Sequence, residues 1–210
     1  MRAPTWRAVW TIVAVLCLGA AGVLAWVALR PAPSSDFVDL NGRPVVLDDP
    51  PDVAASDPVP TGGRFVAPRQ HLDVPLVEMN VVNNVINPPT LTDAFLIRGF
   101  GSPQKPGSGL VVVSMHAVHG GNAPGNAFFD MGPTASPVTV SAGDPLHVDG
   151  VTYTVTGTQV LDKAAASTSA DIWARPAERD GELVVLTCLQ RARHQGPARD
   201  NLVIFATRSS

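Results

Sequence analysis

Between residues 63 and 210 the apolar side chains come in short, branched-rich runs, at 72–77, 94–97, 110–115, 138–140, 152–161, 183–187 and 202–206. Gly, Pro, Asn and Asp fill the intervals. Runs of this length suit strands and are too short and too punctuated for long amphipathic helices. Asp149 and Gly150, between the runs 146–148 and 151–155, form a hairpin signal, because a two-residue turn needs residues that tolerate positive φ. The pattern predicts an all-β barrel or sandwich, with helical turns only near 127–131 and 164–173. The stretch has the size of one domain with its own core.

What precedes it has a different chemistry. Residues 8–29 carry no charge, and at ~1.5 Å of rise per residue they match the ~30 Å hydrocarbon layer of a bilayer. Arg2 and Arg7 lie before this stretch and Arg30 after it, which favours a cytoplasmic N-terminus at 1–7. Trp6, Trp10 and Trp26 fall near its two ends, where amphipathic rings settle at the water boundary. A single-pass signal-anchor is expected, with the rest of the chain extracytoplasmic. The competing reading, a cleaved signal peptide, has an apolar core of only about 7 to 15 residues.

Residues 30–62 alternate Pro with Asp and nearly lack aromatic residues. Such a segment buries too little apolar surface to offset its ordering entropy, so an extended acidic linker is expected. The alternative is a segment that docks on the domain through Phe37, Val38 and Leu40, as a lid would. Residues 63–210 then form the functional domain. The chain's net charge of −3 argues against a nucleic-acid partner.

Cys188 is the only cysteine beyond the apolar N-terminal stretch; the other, Cys17, lies within it. Exported proteins generally pair their cysteines, so a solitary thiol at the end of an apolar run is a candidate nucleophile. Thiolate chemistry calls for a base or a cation nearby. Arg191, Arg193, His194 and Arg199 follow closely in sequence. Among the histidines, His116 ends the run 110–115 and opens a Gly/Asn-rich stretch, the kind of position where a rigid sheet carries a functional group. His119 is its rival. The pair at i and i+3 has no third ligand at a recognisable spacing, so neither a metal nor another cofactor is expected. His71 and His147 are expected on strand faces. Ser114 lies near His116, but no Gly-x-Ser-x-Gly elbow surrounds it.

Taken in order, these residues resemble the sortases, membrane-anchored cysteine transpeptidases of Gram-positive bacteria. The shared features are a strand ending in His116 and followed by Phe128, Phe129 and Met131; Gly143 and Asp144 before a hairpin bearing Tyr153; a strand ending in Thr187 and Cys188; and Arg199 leading into the last apolar strand. The tail 199–206 is most similar to the actinobacterial branch called class F. The resemblance implies a closed barrel of about eight strands with one or two short helices. It also implies a thioacyl intermediate on Cys188, formed on an LPXTG-like sorting signal of an exported protein. The acyl group would pass to an amine of a peptidoglycan precursor or a pilin lysine.

In this scheme His116 is the proton carrier, with His119 as alternative. Arg199 is the cation, with Arg191 as alternative, and Thr187 and Asn201 line the substrate. The sequence departs from the family at Val184, Val185 and Leu186 before Thr187, and at Met115, where glycine is common and a larger side chain would crowd the groove. It departs again at Asn201, where several classes place the arginine. A different class of function would fit the anchor, linker and barrel equally: a non-catalytic β-domain binding a cell-wall or protein partner.

Overall fold

The computed structural model describes residues 37–132, 137–191 and 196–209. The segments expected to be a cytoplasmic N-terminus, 1–7, and a membrane anchor, 8–29, and with them Arg193 and His194, lie outside the described residues. Among the described residues no helix is long and apolar enough to cross a membrane.

Eight strands close into a barrel: β3 (Val59–Ala67), β4 (Leu72–Met79), β5 (Ala94–Ile97), β6 (Val111–Met115), β7 (Pro145–Val148), β8 (Val151–Asp162), β9 (Glu182–Leu189) and β10 (Asp200–Arg208). Around the barrel the order is β10-β8-β7-β3-β4-β5-β6-β9. Most neighbours are antiparallel, but β4 with β5 and β6 with β9 run parallel. Asp149 and Gly150 both have positive φ, 51° and 77°, and turn β7 into β8 with Val148 opposite Val151, as the sequence predicts.

The interior is filled from alternate positions of the strands, including Phe65, Leu146, Tyr153, Leu183, Val185, Leu202 and Ile204. A second cluster lies on the outer face, where Val184, Leu186 and Val203 meet Ala166, Ile172 and Trp173 of the short helices α2 (Lys163–Thr168) and α3 (Ala170–Trp173). β9 is thus covered on both faces, which is why 183–186 reads as an unbroken apolar run rather than an alternation. The Trp173 indole N–H donates to the Ala166 carbonyl at 2.8 Å, holding the helices together.

Five expectations need correction. The segment 30–62 is not an extended spacer throughout. Strand β3 begins at Val59, a one-turn helix α1 (Val53–Ser56) precedes it, and β1 (Phe37–Val38) pairs with β2 (Pro44–Val45) as a small hairpin. Phe37, Val45 and Leu47 pack on Leu91, Val118 and Ala123, so a few apolar residues suffice to dock an otherwise acidic segment. Of the three residues expected to dock it, Phe37 does so, while Val38 and Leu40 are exposed. The run 138–140 forms only an isolated bridge, Val138 with Phe129, instead of a strand. The helical turn expected at 127–131 is a 3-10 turn at Pro124–Phe128. His71 is on no strand: at φ 54° it closes the 3-10 turn Pro68–Gln70. His147 does lie on β7, its Nδ1 3.0 Å from the Thr152 hydroxyl.

Candidate active site

The parallel pairing of β6 with β9 builds the site. Met115, the last residue of β6, stands opposite Thr187, so His116 follows the end of β6 level with Cys188, which is still within β9. Strand alternation decides which way they face. Met115 and Leu189 belong to the interior cluster while Val184 and Leu186 belong to the outer one, which puts His116 and Cys188 on the outer face. Across the other edge of β9, Asn201 stands opposite Cys188. Cys188 is half-buried, reduced, and touches the margin of the interior cluster.

The same alternation corrects two expectations. Met115 points into the core, 2% exposed, so it does not crowd the groove despite its size. Thr187 also turns inward and is buried, which removes it from the substrate-lining face. Its hydroxyl packs against Gly125, where a Cβ would collide with Thr187 Oγ1. The Gly125 N–H donates to the His116 carbonyl at 2.7 Å, so this glycine brings the 3-10 turn into contact with both β6 and β9.

His116 is oriented by its ring. Nε2 lies 2.7 Å from the Pro88 carbonyl oxygen, which can only accept, so Nε2 carries a hydrogen. In the neutral ring Nδ1 is then the basic nitrogen. Burial pushes the imidazole below its ordinary value; the Pro88 carbonyl opposes this, and the charge of Lys163 adds to it. Burial pushes the Cys188 thiol up, and Lys163 opposes that rise. The resting pair is therefore a neutral thiol beside a neutral imidazole.

Side chains that the sequence reading left without a role hold the loop after His116. The Asn126 Oδ1 accepts from the Val118 and Ala123 amides at 3.0 and 2.9 Å, and its Nδ2 donates to the Val118 carbonyl at 2.9 Å. The buried Gln190 amide donates to the Ala117 carbonyl at 3.0 Å, tying the exit of β9 to the exit of β6. Asn126 could have been suspected from its place in the Gly/Asn-rich loop; Gln190 carried no signal.

Solved structures with a similar barrel are sortases. The pilus-related sortase C of Group B Streptococcus is 15% identical, with a TM-score of 0.50, over 70% of this chain and 66% of that one. Listeria monocytogenes sortase A is 17% identical at a TM-score of 0.48, covering 70% of this chain and 86% of that chain. Sortase C-1 from Actinomyces oris is 16% identical at 0.48, covering 72% and 75%. The fold is that of a sortase. No family model matches the chain, and no curated protein matches its sequence.

On this sortase-type barrel the remaining candidates separate. His119 is exposed on the loop, three residues beyond the strand exit that carries His116. Arg191 forms an ion pair with Asp200, which stands opposite Leu189 and so on the face away from Cys188. Arg199, two residues before Asn201, shares the parity of the Cys188 face. It is exposed, and it has no ion-pair partner among the described residues.

Proposed function

We propose that this protein is a sortase-type cysteine transpeptidase, anchored by residues 8–29 with its barrel extracytoplasmic. The observation that carries the proposal is the parallel register of β6 with β9, Met115 opposite Thr187, which brings the next residues, His116 and Cys188, to adjoining positions. A nucleophile and a base on adjacent strands need only side-chain rotation to exchange a proton, which suits a two-step acyl transfer.

In the first step the Cys188 proton passes to His116 Nδ1, and the thiolate attacks the Thr–Gly carbonyl of an LPXTG-like sorting signal. The C–N bond breaks as His116 returns the proton to the departing amine, leaving a thioacyl enzyme. An amine of a peptidoglycan precursor or a pilin lysine then attacks the thioester, giving up its proton to His116 as Cys188 leaves. Arg199 steadies the substrate carbonyl, since its forked donors suit developing negative charge, and Asn201 lines the groove beside Cys188. The branch we propose is class F, on the resemblance of the tail 199–206 to that branch.

Incubating the protein with an LPXTG-type peptide and an amine acceptor tests the reading. Cleavage is expected to vanish in Cys188→Ala and to fall about a hundredfold or more in His116→Ala, while His119→Ala keeps most of it. Undiminished cleavage in His116→Ala with loss in His119→Ala would transfer the base to His119. No cleavage, together with a Cys188 that thiol reagents do not modify, would favour the non-catalytic binding domain.

A further inference from the structure

Among the described residues three cations lie on elements next to Cys188, and one of them, Arg199, is committed to the substrate carbonyl in the proposed reaction. Asn201, opposite Cys188, is uncharged, and Arg191 is engaged by Asp200 on the other face. The third comes from β8. Leu161 stands opposite Asn201, Asp162 opposite Asp200, and the Lys163 amide donates to the Arg199 carbonyl at 3.1 Å. Leu161 packs in the outer cluster, on the face that carries Cys188, and α2, which Lys163 opens, covers that same face.

Adjacent strands lie about 4.8 Å apart, so Lys163 stands two strand spacings across from the line of Cys188 and two residues along. That gap is within range of an ammonium on a four-carbon stem. In keeping with this, the charge of Lys163 acts on both Cys188 and His116, lowering each. Among the described residues, the ionisable groups around Cys188 are His116 at the exit of β6, Lys163 on α2, Arg199 and Asp200 at the entry of β10, and Arg191 after β9.

We propose that Lys163 is a positioning residue of the candidate active site, a cation from outside the β9–β10 pair that raises the thiolate fraction of Cys188. This deepens the transpeptidase reading and rests on Cys188 being its nucleophile. A cation here favours the thiolate and disfavours the imidazolium, so it shifts the pair toward a thiolate beside a neutral, basic ring. Lys163 is exposed, so its field on Cys188 is open to screening by salt.

The test is the pH dependence of iodoacetamide alkylation of Cys188, followed by mass spectrometry on the Cys188 peptide of the full chain in detergent. Lys163→Met is expected to move the curve to higher pH and to slow alkylation near neutrality roughly three- to tenfold. Lys163→Arg should keep the wild-type curve, as should Lys105→Met, which removes the chain's other lysine. The shift should persist in a His116→Ala background, since the field acts on the sulfur directly. Raising salt should move the wild-type curve toward that of Lys163→Met and leave the variant's curve in place. Superimposable wild-type and Lys163→Met curves, or a Lys163→Arg curve shifted as far as that of Lys163→Met, would overturn the proposal. Because alkylation needs no sorting peptide, its outcome is independent of whether the peptide is cleaved.

Discussion

At the scale of single residues, burial works against both partners of the proposed chemistry. His116 is held below its ordinary 6.5 and Cys188 above its ordinary 9.0, so across the neutral range neither is charged. The thiolate–imidazolium pair is then a minor form reached by proton transfer. The kcat/KM profile is expected to show an acid limb below pH 6.5, a flat centre, and an alkaline limb above pH 9.0, read as properties of the pair. An alkaline limb well below 9.0 would mean that the thiol is depressed in the working enzyme. Cys188 and His116 stood out as candidates in the sequence because each ends an apolar run. Thr187 was placed on the substrate face by the family resemblance, whereas period-two alternation turns it to the face opposite that of Cys188, and it is buried. Lys163 carried no signal, because it opens α2 at the end of β8, two strands from β9.

At the scale of elements, the hairpin of β1 and β2 is the feature the sequence concealed best. Its acidic composition argued for a solvated spacer, yet Asp39 is buried and turns its charge to structural use. Oδ1 accepts from the Asn41 and Arg43 amides at 2.8 and 2.9 Å, and Oδ2 accepts from the Asn122 amide at 2.9 Å. The Leu40 amide donates to the Asn122 carbonyl at 2.8 Å, so the hairpin is strapped to the loop that follows His116.

The Arg43 amide leads in holding the Asp39 carboxyl below its ordinary 3.8, and burial opposes it. A carboxylate depressed in the folded state stabilises above its unfolded value, and that contribution disappears as pH falls through the lowered folded value. Asp39→Asn should therefore speed amide exchange at residues 37–45 and at Asn122 near neutral pH, with the barrel strands unchanged. Wild type should behave like the variant only well below pH 3.8. Equal exchange in both at neutral pH would show that the apolar contacts of Phe37, Val45 and Leu47 hold the hairpin unaided.

At the scale of the whole molecule, the strands at 94–97 and 183–187 and the Asp149-Gly150 hairpin were readable from local chemistry, but closure was not. The parallel pairing of β6 with β9 aligns the strand ends that carry His116 and Cys188, and no local pattern encodes a pairing between strands about seventy residues apart. The order of motifs supplied what periodicity could not. In the proposed reaction Cys188 carries the acyl group. This is tested most directly by mixing the protein with an LPXTG-type peptide, without an amine acceptor, and measuring the mass of the acid-quenched chain. The expected result is an added mass equal to the peptide's N-terminal fragment up to its threonine, mapped to Cys188, absent in Cys188→Ala and released by an added amine. Peptide cleavage without any such adduct, and unchanged in Cys188→Ala, would contradict the account.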